Sequence, residues 1–229
     1  MTSQHAQAVV FDFDGTLAEL TIDFSVMKAN ARAIARAYLT DPLPGDSLPV
    51  LEWADLVAAT LAGHDPKRAK TYFAETHAMI QDMEMEGARQ GSLFPFTRPL
   101  LEQLALHGTA TAIITRNCAR AVHSVFPDLD GLCPVFLARD HVDRVKPDPG
   151  HLLAALDKVE CSPDKALMVG DHPLDVETGK RAGAQTAGVA TGRMSLADLQ
   201  QAGADHTAQD MATLARDLAR AGIWPELKL

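Results

Sequence analysis

The stretch Val9-Val10-Phe11-Asp12-Phe13-Asp14-Gly15-Thr16-Leu17 runs from an apolar segment into two carboxylates one residue apart, then a glycine, a hydroxyl and a leucine. A short apolar run closed by turn signals is the pattern of a buried strand in a parallel sheet. In open α/β sheets ligands bind beyond the carboxyl ends of the strands, where Asp12 and Asp14 fall. Strand alternation would aim both side chains the same way, but Gly15 bends the path and lets their directions diverge. Two acids at a buried strand end cost desolvation energy unless a cation or hydrogen bonds compensate. Asp-Gly alone is also a common turn pair. The stretch therefore predicts a metal-dependent site or a simple turn, and later strand ends must choose.

Those later strand ends come after Gly91, where strand and helix patterns alternate. Strands are expected at 110–114, 135–138, 166–169 and 186–189, with helices at 100–107, 119–126, 146–158, after Asp171 to 182, and 211–221. Such alternation argues for an α/β fold, a doubly wound parallel sheet with right-handed crossovers. Between the first strand and this alternation the pattern is helical. Met27, Ala31, Ile34 and Tyr38 form one stripe, residues 51–62 a second helix, and a third runs from Pro66 toward Gly91 with Tyr72, Thr76, Met79 and Met83 aligned. Prolines and a glycine at 41–46 break the first helix. The expected organisation is a core from 1–17 and 91–229 with an α-helical unit, 18–90, inserted near the active end. Such an insertion can exclude water and sort substrates.

A chain of 229 residues with Lys+Arg 21 against Asp+Glu 30 has a net charge of −9, which disfavours binding to nucleic acid. A small phosphorylated substrate needs only a local cationic patch. The polar start, residues 1–7, lacks the build of a signal peptide, and no apolar run approaches the ~20 residues of a membrane-spanning helix. Cys118, Cys133 and Cys161 stand apart and odd in number, so free thiols are expected, in a cytoplasmic protein.

Three further strand ends carry chemistry. Thr115-Arg116-Asn117 follows 110–114, where a hydroxyl and free N–H groups at a helix start suit a phosphate or merely cap the helix. Lys146 precedes Pro147-Asp148-Pro149, and the proline biases it toward an extended backbone. Gly170-Asp171 closes another apolar strand as Asp12 does, and Asp175 falls where acids favour a helix start. His172 between them is read as facing substrate or supporting the acids, since a hard cation prefers carboxylate oxygen.

The order acid pair, Thr, Lys, acid pair, each directly after a strand, resembles the haloacid dehalogenase superfamily across the chain. The helical insertion resembles its phosphoglycolate phosphatase and β-phosphoglucomutase branch. The resemblance implies a Mg²⁺-dependent phosphatase acting on a small phosphate monoester, phosphoglycolate being the first expectation. A phosphosugar mutase, or a phosphate-binding module without turnover, is the alternative. By resemblance, Asp12 is the nucleophile and Asp14 the acid–base. Thr115, Arg116, Asn117 and Lys146 hold the phosphoryl group. Asp12, the Asp14 main-chain carbonyl and Asp171 ligate Mg²⁺, with Asp175 in support. 2-Haloacid dehalogenases typically lack an acid where Asp14 stands, so its presence favours C–O–P chemistry. Phosphoglycolate phosphatases often carry an Asp-Ser-x-x-Asp-like stretch where this chain has Ala18-Glu19-Leu20-Thr21-Ile22-Asp23. Candidate substrate-facing residues of the insertion are Glu19, Arg32, Arg36 and His77. A monomer or homodimer is expected.

Overall fold

A computed structural model describes residues 5–39, 45 and 48–229. Its centre is β1 (Ala8–Phe11), every residue of which is buried. That burial demands the unbroken apolar run, because β1 has a parallel neighbour on each side, β4 (Ala110–Ile114) and β6 (Ala166–Gly170). With β5 (Val135–Leu137), β7 (Gln185–Val189) and β8 (His206–Ala208), the sheet order is β5-β4-β1-β6-β7-β8, parallel throughout. The chain builds outward on one side of β1 and then on the other, so the order reverses between β4 and β6 beside β1. A doubly wound sheet opens its ligand crevice at that reversal.

The register places the site. Phe11 pairs with Ile113 on one side and Val169 on the other. Asp12, Thr115 and Asp171 therefore emerge from the same edge of the sheet within about one residue of one another. Helices α4 (Thr97–Leu106), α5 (Ala119–Val125), α6 (Leu129–Leu132), α7 (Pro149–Lys158), α8 (Pro173–Ala182), α9 (Leu196–Gln201) and α10 (Met211–Arg220) accompany the strands. One core cluster joins Val10, Ala112, Ile114, Leu152, Leu156 and Met168, so α7 closes the sheet face behind the strand ends. A short antiparallel pair, β2 (Ala18–Glu19) and β3 (Ser92–Leu93), also belongs to this unit.

The chain divides into two compact units, Met1–Leu20 with Gly91–Leu229, and Thr21–Gln90. The second comprises α1 (Phe24–Tyr38), α2 (Val50–Ala62) and α3 (Pro66–Gln90) around Ala31, Ala35, Trp53, Val57, Leu61, Ala69 and Tyr72. Asp23 caps α1, its carboxylate accepting from the N–H groups of Ser25 and Val26 at 2.9 and 3.0 Å. The buried stripe of α3 continues from Tyr72 and Thr76 to Ile80 and Glu84, where the sequence pattern favours Met79 and Met83. A strict four-residue step keeps one line buried and leaves both methionines only partly covered. The break expected at 41–46 lies outside the described residues, Gly45 excepted.

Several boundaries differ from the sequence reading. The helix expected from Lys146 begins at Pro149, with Asp148 accepting from Gly150 N–H at 2.8 Å, so Lys146 stays in a loop. Strand β8 and helices α6 and α9 carry too short an apolar pattern to be read in sequence. Cys118 and Cys133 are free and buried, Cys161 free and partly exposed. No helix among the described residues is long and apolar enough to cross a membrane.

Candidate active site

Lys146 is buried, and its ammonium lies 2.7 Å from Asp12 Oδ1 and 2.6 Å from Asp175 Oδ1. Burial alone would lower the pKa of this lysine, but the Asp12 and Asp175 charges outweigh it and hold the group cationic. Asp175 does two things at once. Its Oδ2 accepts the His172 N–H at 3.1 Å at the start of α8, while Oδ1 holds Lys146. The capping and the catalytic-support readings of Asp175 are thus compatible.

Asp171 is buried and accepts from the Thr16 hydroxyl at 3.2 Å. Gly15, at φ +84°, and Gly192 both press their main chains against its carboxylate, and a Cβ on either would collide with it. Asp12, Asp171 and Asp175 each offer an oxygen within 4.8 Å of the others. Three of the site's acids resist ionisation. Burial, opposed by Lys146, raises Asp12 to about 6, and burial raises Asp14 to about 7. Burial and the Asp12 and Asp175 charges raise Asp171 to about 8. A single ammonium undercompensates this cluster, and an all-oxygen donor set with a cradle shaped around one carboxylate fits a hard divalent cation.

Asp14 points elsewhere, as the Gly15 bend allows. Its Oδ1 accepts the Leu20 N–H at 2.8 Å, and the Arg193 charge partly offsets its burial. Asp175, rather than the Asp14 side chain, completes the carboxylate group. Thr115 and Asn117 are buried and bonded to each other, the Thr115 hydroxyl donating to Asn117 Oδ1 at 3.3 Å. Asn117 Nδ2 has no acceptor among the described residues, which leaves a buried donor at a strand end. Arg116 donates through Nη1 to the Lys146 carbonyl. His172 accepts the Leu174 N–H on Nδ1 at 3.2 Å, and its ring feels the charges of Asp12, Lys146 and Arg116.

The profile of the haloacid dehalogenase-like hydrolase family matches residues 9–189, which spans the four acids, Thr115, Asn117 and Lys146 and ends before Gly192 and Arg193. The chain belongs to this family. Among similar proteins, N-acetylmuramic acid 6-phosphate phosphatase of Pseudomonas putida is 29% identical over 195 residues, 81% of this chain and 83% of that protein. Phosphoglycolate phosphatase of Vibrio vulnificus is 26% identical over 205 residues, 84% of this chain and 87% of that one. The crystal structure of a hydrolase from Pseudomonas syringae superposes with TM-score 0.63 at 23% identity, covering 94% of this chain and 98% of that one, and shares the fold.

Within this haloacid dehalogenase-like frame, Lys146 meets Asp12 and Asp175 directly, Asp171 offers an oxygen within 4.8 Å of both acids, and Thr115, Arg116 and Asn117 share the same sheet edge. The substrate-facing candidates fare unevenly. Glu19 lies in β2 of the sheet-bearing unit. His77 is engaged within the helical unit, stacked on Phe73 with centroids 3.9 Å apart and 3.8 Å from Asp55. Sequence reasoning singles out neither Thr16 nor Gly192, Arg193 or His151. Each takes its place from residues far away in the chain.

Proposed function

We propose that this hydrolase is a Mg²⁺-dependent phosphatase that cleaves a small phosphate monoester through an aspartyl-phosphate on Asp12. The observation that carries the reading is the Asp12–Lys146–Asp175 chain, buried at Lys146 and Asp175, beside Asp171. It supplies a carboxylate nucleophile, a fixed positive charge and a carboxylate cluster suited to a cation. The Asp12 and Asp171 carboxylates with the Asp14 carbonyl would hold Mg²⁺, which neutralises phosphoryl charge when bound.

The steps use this chain's own groups. A carboxylate oxygen of Asp12 attacks phosphorus, and the P–O bond to the alcohol breaks. Asp14, whose carboxyl is pushed up to about 7, keeps a proton near neutral pH and gives it to the leaving alkoxide. The resulting Asp14 carboxylate takes a proton from water as that water attacks phosphorus, and the Asp12–phosphorus bond breaks to release inorganic phosphate. Lys146, Thr115 and the unfilled Asn117 donor would hold the equatorial oxygens. Hydrolysis of a phosphate monoester requires up to ~10²¹-fold acceleration, so no single contact suffices and the groups must act together.

Two relatives named as phosphatases act on N-acetylmuramic acid 6-phosphate and phosphoglycolate. Both names favour a small monoester here. In this reading the helical unit, Thr21–Gln90 rather than the 18–90 expected from sequence, forms a cap that selects it. Phosphate release should be measured over a panel including phosphoglycolate and sugar 6-phosphates, with Mg²⁺ and with a chelator. Release from at least one ester that stops on chelation is expected. No release from any ester contradicts the reading, and conversion to an isomeric sugar phosphate redirects it to a mutase.

A further inference from the structure

His151 lies on α7, fully buried, and no role in the reaction above requires it. Its two ring nitrogens nevertheless join two phosphate-binding loops. Nδ1 faces the main-chain N–H of Lys146 at 3.3 Å, and Nε2 lies 2.9 Å from the carbonyl oxygen of Leu137. An N–H can only donate and a carbonyl can only accept, so Nδ1 is the acceptor and Nε2 carries the proton. The same Leu137 carbonyl accepts the N–H of Thr115 at 3.1 Å. A single neutral imidazole therefore connects Lys146 to the main chain of Thr115 through one shared oxygen. From the other side, Arg116 donates to the Lys146 carbonyl. Lys146 is thus gripped at its N–H, its carbonyl and its ammonium.

We propose that His151 is a positioning residue that fixes the spacing between Lys146 and Thr115, the two groups that would hold the phosphoryl oxygens; this rests on the phosphatase reading. The loop carrying Lys146 is not helical and makes no strand pairing, so its main chain needs a partner from elsewhere. An ordinary core side chain at 151 would fill the space without supplying one. The imidazole supplies an acceptor for Lys146 and a donor toward the Thr115 partner in one rigid ring. Burial lowers the His151 pKa to about 4, which keeps the ring in the neutral form the two bonds require.

The test uses three variants of the full chain. Asn sets an amide oxygen near the place of Nδ1 and keeps the Lys146 acceptor. Gln reaches the place of Nε2 and keeps only the Leu137 contact, while Met keeps volume and neither bond. Inorganic phosphate as an inhibitor reports on Lys146 and Thr115, and a Mg²⁺ titration reports on the carboxylates. His151→Met should lower kcat and weaken phosphate inhibition by about tenfold or more, and His151→Gln, which keeps one bond, by less. Mg²⁺ affinity should stay within about twofold, and His151→Asn, which keeps the Lys146 bond but not the Leu137 bond, should lose less than His151→Met without matching the wild type. Should His151→Met keep kcat and phosphate inhibition, or should Mg²⁺ affinity fall in step with activity, the proposal is overturned. Nitrogen NMR of the wild-type chain near neutral pH covers the case of variants that do not fold. It should show the Nε2–H tautomer at His151, and an imidazolium or an Nδ1–H form would overturn the proposal. Wild-type turnover is measured in parallel, and its absence sinks the phosphatase reading instead.

Discussion

Asp12 and Asp14 are two positions apart and chemically identical, yet the fold puts them in different surroundings. Asp12 meets Lys146 at 2.7 Å, while Asp14 turns to the Leu20 N–H at 2.8 Å. Burial without a paired ammonium pushes Asp14 up to about 7, within the range the proposed general-acid role needs. Asp14→Asn should lower kcat by about 10²–10⁴-fold for an alkyl phosphate. The loss should be much smaller for the departure of a good leaving group, such as an aryl phosphate, seen as a larger burst of released phenol than of phosphate. Equal losses for both substrates would remove Asp14 from the acid role. Gly15 is a second single-residue test, because a methyl there meets the Asp171 carboxylate and strains a φ of +84°. Gly15→Ala should weaken Mg²⁺ binding in a titration, and unchanged affinity would mean that the cradle is not needed. The acids at 12, 14, 171 and 175 are legible in sequence because they fall as two pairs just after two apolar strands, β1 and β6. Thr16, Gly192 and His151 are not, since their partners are set by tertiary packing.

At the scale of elements, α7 docks on the sheet through Leu152, Leu156 and the neutral His151. That docking has a pH signature. A histidine lowered from 6.5 to about 4 binds its proton in the unfolded chain before the folded one. Between those values the unfolded state holds more protons, so this histidine lowers stability as pH falls from 6.5 toward 4, and adds no further loss below. Replacing His151 with Met should make the acid side of the stability profile shallower, read by denaturant unfolding across that range. A parallel profile would contradict the neutral buried ring. The strands β1, β4 and β6 are legible because they are almost wholly buried and their sequences are apolar but for Thr111. Edge strand β8, His206–Ala208, reads as loop in sequence and is a strand only because β7 pairs with it.

For the whole molecule, the site stores unfavourable electrostatics that a bound cation would relieve. The folded pKa values of Asp12, Asp14 and Asp171 are raised from 3.8 to about 6, 7 and 8. Between the ordinary value and these, the folded state holds more protons than the unfolded one. Without a divalent cation these groups therefore make the protein less stable as pH rises from about 4 to about 8. Mg²⁺ competes with those protons, so its increment in Tm should be small near pH 5 and grow through pH 6–8, about the range of the raised values. An increment independent of pH would show that the cation binds elsewhere. The reaction itself is tested most directly by acid-quenching the enzyme during turnover and sequencing its peptides by mass spectrometry. A phosphoryl group on Asp12, absent from an Asp12→Asn variant that folds but releases no phosphate, is the predicted result. Phosphate release at the wild-type rate by that variant, or a phosphoryl group on another residue, would contradict it.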